Sequence, residues 1–133
     1  MAEYSISPAG EKFLLPGRED YEREFERLKE TVDRQREMDR EIVLVMGLGF
    51  VGAVMAAVVA DATDRNGTPT KFVLGMQRPS TRSFWKIALL NRGIPPVSSE
   101  DPEVPLIVSR CVNEKKTLTA TYTYDALKLA DVV

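Results

Sequence analysis

Residues 42–52 read Ile42-Val43-Leu44-Val45-Met46-Gly47-Leu48-Gly49-Phe50-Val51-Gly52. Five apolar residues run straight into a G-x-G-x-x-G pattern, and the Ala- and Val-rich segment from Ala53 to Ala62 follows. That order predicts strand, glycine turn and helix, the context in which the pattern binds a dinucleotide. Gly47 lets the chain leave the strand in a tight turn. Gly49, without a Cβ, lets a pyrophosphate approach the backbone, and Gly52 lets the helix pack closely on the strand. The N–H groups of Phe50, Val51 and Gly52 open the helix and face the phosphates, whose negative charge the helix dipole favours. For an isolated G-x-G-x-x-G, a turn that binds nothing is the better reading. Here the flanking strand and helix favour nucleotide binding.

Downstream, Lys71 to Met76 predicts a second strand, and Thr81 to Asn91 a second helix with Phe84, Ile87 and Ala88 on its apolar face. Ser80 is the expected cap. Asn91-Arg92-Gly93 ends that helix and Pro95-Pro96 prevents its continuation. A proline-punctuated loop runs to Pro105. Leu106 to Asn113 reads as a short helix, Thr117 to Tyr124 as a short strand, and Asp125 to Ala130 as a turn or two of helix. Asp131-Val132-Val133 reads as the first step of another strand. Asn66-Gly67-Thr68 matches the glycosylation acceptor pattern but reads as a turn. Alternating strands and helices with short links imply an α/β, Rossmann-like, doubly wound parallel sheet. In the order 3-2-1-4 the fourth strand lies beside the first, and ligands bind at that switch. The sheet is therefore expected to be truncated where the strand flanking its own crevice begins.

Upstream, residues 1–17 contain Pro8, Gly10, Pro16 and Gly17, show no periodicity and predict an irregular arm. Residues 18–40 are densely charged and free of Pro and Gly. Tyr21, Phe25, Leu28 and Val32 fall on one helical face, with Glu19–Arg23, Glu24–Arg27 and Glu26–Lys29 as compensating pairs. The reading favours a charged helix that docks a narrow apolar stripe on its own domain, over one that packs on a partner subunit. The chain thus divides into an arm and amphipathic helix over 1–41 and a dinucleotide-binding domain over 42–133.

At 133 residues the chain is one domain or part of a larger one. Its net charge of −2 advertises neither nucleic acid nor an anionic membrane as a partner. No basic n-region with an apolar core marks a signal peptide, and the aliphatic run Ala53 to Ala60 is too short to span a bilayer. The single cysteine, Cys111, cannot form an internal disulfide, which fits a reducing, cytoplasmic setting. With no histidine, the commonest general base and metal ligand is missing, and no metal site is expected.

Taken together, residues 42–133 resemble the N-terminal domain of the UDP-glucose/GDP-mannose dehydrogenase family, the nucleotide-sugar dehydrogenases. The resemblance rests on Gly47-Leu48-Gly49-Phe50-Val51-Gly52, Val73-Leu74-Gly75 and Leu90-Asn91-Arg92-Gly93-Ile94-Pro95-Pro96. It continues in Leu118-Thr119-Ala120-Thr121, Asp125-Ala126-Leu127 and Ala130-Asp131-Val132-Val133. It implies an NAD-dependent enzyme that oxidises the primary alcohol of a UDP- or GDP-sugar to the uronic acid, for polysaccharide biosynthesis. It also implies a nucleotide-sugar substrate for the full-length protein and a homo-oligomeric assembly. The family's chemistry passes through a thiohemiacetal and a thioester on a cysteine in a glycine-rich segment. Cys111 does not match that segment, so no catalytic residue is assigned here, and a buried inert thiol is the expected role.

One position departs from the family. Where it usually has an acidic residue for the adenosine ribose hydroxyls, this chain has Gln77, followed by Arg78. A carboxylate repels a 2′-phosphate, whereas a neutral amide does not, and a nearby arginine can hold one. Arg82 falls where the family often has a basic residue near the adenosine. The resemblance therefore implies NAD with NADP also possible, and the cofactor-binding set is Gly47, Gly49, Phe50, Val51, Gly52, Gln77, Arg78, Arg82 and Thr121. Solvated arginines and an ordinary strand threonine are the plainer alternatives. Two other functions stay open: a non-catalytic NAD(P)-binding or sensing module, and an interaction module built on the charged helix.

Overall fold

A computed structural model describes residues 3–96 and 100–133. Two short strands, β1 (Tyr4–Ile6) and β2 (Lys12–Leu14), pair antiparallel ahead of helix α1 (Arg18–Glu37). The chain continues through β3 (Glu41–Met46), α2 (Phe50–Asp61), β4 (Lys71–Met76), α3 (Phe84–Asn91) and α4 (Glu103–Ser109). A π-helical turn (Arg110–Glu114), β5 (Leu118–Thr121) and a 3-10 turn (Tyr124–Lys128) complete it.

Strands β3, β4 and β5 form a parallel sheet in the order β3-β4-β5. On the far side of β3, Val132 pairs parallel with Val43, and the Leu44 N–H donates to the Val132 carbonyl at 2.8 Å. Lateral order is therefore β5-β4-β3-Val132, the arrangement expected of a doubly wound sheet with its switch beside β3. Strand β4 is central, and from Phe72 to Met76 every residue is buried. A strand covered on both faces reads as a continuous apolar run, as this one does.

Alternation along β4 splits the core in two. Val73 joins Leu48, Ala56, Ala57, Ala60, Ile87, Leu90, Val108, Cys111 and Leu118 beneath α2, α3, α4 and the π turn. Phe72, Leu74 and Met76 join Leu28, Val32, Ile42, Leu44 and Ala126 beneath α1. Leu28 and Val32 are fully buried. Each such burial stabilises the fold by about 1.5–3 kcal/mol relative to exposure. The charged helix thus supplies the second layer over the sheet, which is the docking role its stripe predicts.

Three local expectations need correction. The arm is not irregular, because residues 4–14 form the β1–β2 hairpin. Its strands are three residues long and largely exposed, so they leave no alternation to read. The hairpin seats on α3: buried Ser5 accepts the Trp85 N–H at 3.0 Å, and Arg92 pairs with Glu11 through both guanidinium nitrogens at 2.9 and 2.6 Å. Helix α3 begins at Phe84, and residues 81–83 are a turn in which the Ser80 and Ser83 hydroxyls bond to each other at 2.7 Å instead of capping. On α1 the buried face is Glu24, Leu28, Val32 and Gln35, with Tyr21 and Phe25 only half-buried. Two more differ: α4 begins at Glu103, inside the expected loop, and Arg23 pairs with Asp20 instead of Glu19. Asn66-Gly67-Thr68 is a turn in which the Asp64 carboxylate accepts the Asn66 and Thr68 N–H groups. Residues 97–99 of the proline-punctuated loop lie outside the described residues. No helix among the described residues is long and apolar enough to cross a membrane.

Candidate dinucleotide-binding site

All three parallel strands end at one level. The register pairs Met46 with Met76 and Met76 with Thr121. Beyond it, the Gly47 N–H donates to the Met76 carbonyl at 2.7 Å and the Gln77 N–H to the Thr121 carbonyl at 3.0 Å. Gly47, Gln77 and the end of β5 therefore form one rim at the carboxyl edge of the sheet, where open α/β sheets bind ligands.

The three glycines differ in what they permit. Gly47 has φ of +90°, a conformation L side chains rarely adopt. At Gly52 an added Cβ would lie 1.8 Å from the Gly47 carbonyl oxygen, so only glycine allows α2 this close to the turn. At Gly49, the residue preceding α2, an added Cβ meets nothing within 4 Å. The space over Gly49 is open. The first-turn N–H groups of a helix have no intrahelical acceptor. No side chain among the described residues caps α2, and no acidic residue lies in its first turn. Phe50 and Val51, the first two residues of α2, are 53% and 73% exposed. The turn fits a phosphate-bearing group.

Two contacts shape this rim. Gln77 accepts the Leu48 N–H at 2.8 Å through its side-chain oxygen, which ties the end of β4 to the glycine turn. Leu48 is fully buried, and its Cδ2 would lie 2.9 Å from a Cβ at Gly75. Gly75 thus makes the room in β4 that lets the turn sit down on the sheet. Its place in an otherwise apolar strand is the signal, since a strand glycine often marks close approach.

Arg78 and Arg82 follow β4 with exposed side chains that form no ion pair among the described residues, while their carbonyls accept from Ser83 Oγ and Trp85 Nε1. Thr121 lies at the same end of the sheet, but its hydroxyl is buried and donates to Glu24 Oε2 at 2.6 Å. Glu24 also takes Arg27 through both carboxylate oxygens, at 2.7 and 2.9 Å. Tyr122 stacks edge-on against Tyr21 and Phe84, and burial, reinforced by Glu24 and Asp20, pushes its phenol up to about 12. The Glu24–Arg27 pair forms as its spacing predicts, whereas the burial of Glu24 and its contact with Thr121 were not foreseen. Its spacing of four from Leu28, which is itself four from Val32, was the available signal.

Cys111 is fully buried beside the Ala57 carbonyl, and burial pushes its thiol up. Such a thiol is neither accessible nor readily ionised, which fits the inert role.

Neither the scan of protein families nor the search of curated proteins gives a match. Among solved structures, the chain is similar to the crystal structure of NDP-N-acetyl-D-galactosaminuronic acid dehydrogenase from Methanosarcina mazei Go1, with a TM-score of 0.61 and 28% identity. The fold is α/β and Rossmann-like, with a parallel sheet, as in that structure. The alignment covers 79% of this chain and 21% of that one, so the chain spans about a fifth of the length of its solved neighbour. The likeness supports a relationship to the nucleotide-sugar dehydrogenases over this region.

Proposed function

We propose that this chain is the NAD-binding part of a nucleotide-sugar dehydrogenase. The observation that carries the reading is the glycine turn: Gly52 admits the helix, and Gly49 leaves open space over uncapped helical amides. The similarity to a solved uronic acid dehydrogenase supports the wider assignment to an enzyme that oxidises a UDP- or GDP-sugar to its uronic acid. When bound, the nicotinamide supplies the hydride acceptor. This chain's residues bind and orient it. The amides of Phe50, Val51 and Gly52 hold the pyrophosphate. Gln77, its oxygen engaged by Leu48, presents its amide NH2 group to a ribose hydroxyl. Arg78 and Arg82, exposed and without an ion pair among the described residues, are available to a 2′-phosphate. Thr121 acts through its backbone and through the Glu24 contact that fixes the end of β5. The covalent step requires residues other than the buried Cys111. Homo-oligomerisation and cytoplasmic residence form part of the same proposal.

Cofactor choice tests the ribose assignment. Dissociation constants for NAD+ and NADP+ should lie close together in the unaltered chain. Gln77→Asp should weaken NADP+ by about tenfold or more relative to NAD+, since a carboxylate repels the 2′-phosphate. An unmoved ratio would place residue 77 away from the ribose.

A further inference from the structure

At the opposite end of the sheet lies a groove of about 720 Å³ between α1 and the β5 edge. Phe72 at the start of β4, Leu118 and Thr119 at the start of β5, and Arg40 just before β3 line it. Six residues of strand, about 20 Å at ~3.3 Å per residue, separate this end from the glycine turn. Five cations line the groove, namely Arg27, Arg34, Arg40, Lys115 and Lys116, and none of its described lining residues is a carboxylate.

Local pairing accounts for only two of the five. Arg27 is held by Glu24, and Lys115 by Asp61 at 2.8 Å. Arg34, Arg40 and Lys116 have no acidic partner among the described residues. Arg40 donates through Nη1 to Gln35 at 2.6 Å, but its Nε is buried with no acceptor. An unpaired buried donor on a charged group is costly. Lys116 sits at φ of 56°, in the left-handed region, between backbone bonds from Lys115 to Arg110 and from Thr117 to Cys111. Helix α1 sorts its charges in the same sense: Glu26, Glu30, Asp33 and Glu37 follow one line, and Arg27, Thr31, Arg34 and Met38 the next, which faces the groove. The α1 C-terminus carries only about half a negative charge, too little to balance three cations.

We propose that this groove is a second anion site, taking a linear polyphosphate or the polyphosphate moiety of a nucleotide through Arg34, Arg40 and Lys116. It stands apart from the dinucleotide reading, and one experiment separates them. Inorganic tripolyphosphate is titrated calorimetrically into the unaltered chain, the Arg34→Gln/Lys116→Asn double variant and Gly49→Val. Asn suits the left-handed backbone at 116. The double variant should bind at least about tenfold more weakly, as expected for loss of charge-assisted bonds. Gly49→Val, which removes phosphate binding at the glycine turn, should keep the binding that belongs to this groove. Absence of binding to the unaltered chain, an unaffected double variant, or complete loss in Gly49→Val would overturn the site. Amide chemical shifts in the unaltered chain give a readout independent of variant folding. Tripolyphosphate should move Lys116 and Thr119, and shifts confined to residues 47–52 would place the anion at the glycine turn instead.

Discussion

On one face of the sheet, α2, α3 and α4 lay alanine, valine and leucine side chains against β3, β4 and β5. On the other, the heavily charged α1 buries Leu28 and Val32 together with Glu24 and Gln35. The first face is closed by crossover helices next in sequence to the strands they cover. The second is closed by a helix that precedes the whole sheet, with two apolar anchors and a carboxylate whose partners come from β5 and its own next turn. An apolar face tolerates imprecise pairing, whereas a face containing a buried carboxylate must satisfy it. The difference predicts where the fold is most easily broken.

The largest effect should come from the sparse face. Leu28→Ala removes one of two fully buried aliphatic anchors on α1 and should cost about 2–5 kcal/mol in urea unfolding. A cost below 1 kcal/mol would show that α1 is not integral to the core. Next comes close approach on the dense face. Gly52→Ala must push α2 off the turn because its Cβ would meet the Gly47 carbonyl, a loss of about 3 kcal/mol at the top of the overpacking range. Native-like stability in that variant would contradict the tight helix–strand packing.

Glu24→Ala should cost about 1–2 kcal/mol, chiefly by leaving the buried Thr121 hydroxyl without its acceptor. Thr121→Val in the same chain should recover part of the loss, because removing both partners is cheaper than removing one. Additive losses in the double variant would show that the contact carries no coupling. The smallest effect belongs to Asp61, at the end of α2. Arg110 holds it through both carboxylate oxygens at 3.0 and 2.8 Å, Lys115 joins at 2.8 Å, and the pair of cations lowers its carboxyl to about 2. A lowered value contributes stability above the unfolded carboxylate range near 3.8, lost as pH falls towards about 2. The cluster is partly solvated, so the contribution is on the order of 1 kcal/mol. Asp61→Asn should flatten the stability profile in that window, and an unchanged acid limb would exclude the cluster as its source.

The dense face was legible because its signals are local. Five apolar residues before Gly47, the Ala-rich α2 and the run Phe72-Val73-Leu74 each declare a strand or helix without reference to anything distant. Strand order followed from the alternation, and Val132 beside β3 bears it out. The glycine turn was equally legible, since backbone conformation and close approach both demand glycine. Less legible was whatever depends on distant partners. Glu24 looks like one solvent-facing carboxylate among many until Thr121 is brought against it. Ser5 and Glu11 reveal a hairpin only once α3 presents Trp85 and Arg92. The sequence predicts a ribose contact at Gln77, and its hold on Leu48 depends on a turn that folds back over β4.

Calorimetric titration of NAD+ into the unaltered chain and into Gly49→Val tests the central claim most directly. Gly49 faces open space, so valine there should leave folding intact while its side chain occupies the path of the pyrophosphate. The account predicts saturable binding to the unaltered chain and none to a folded Gly49→Val. Equal affinity in the two chains would contradict the assignment of Gly47–Gly52 as the dinucleotide site.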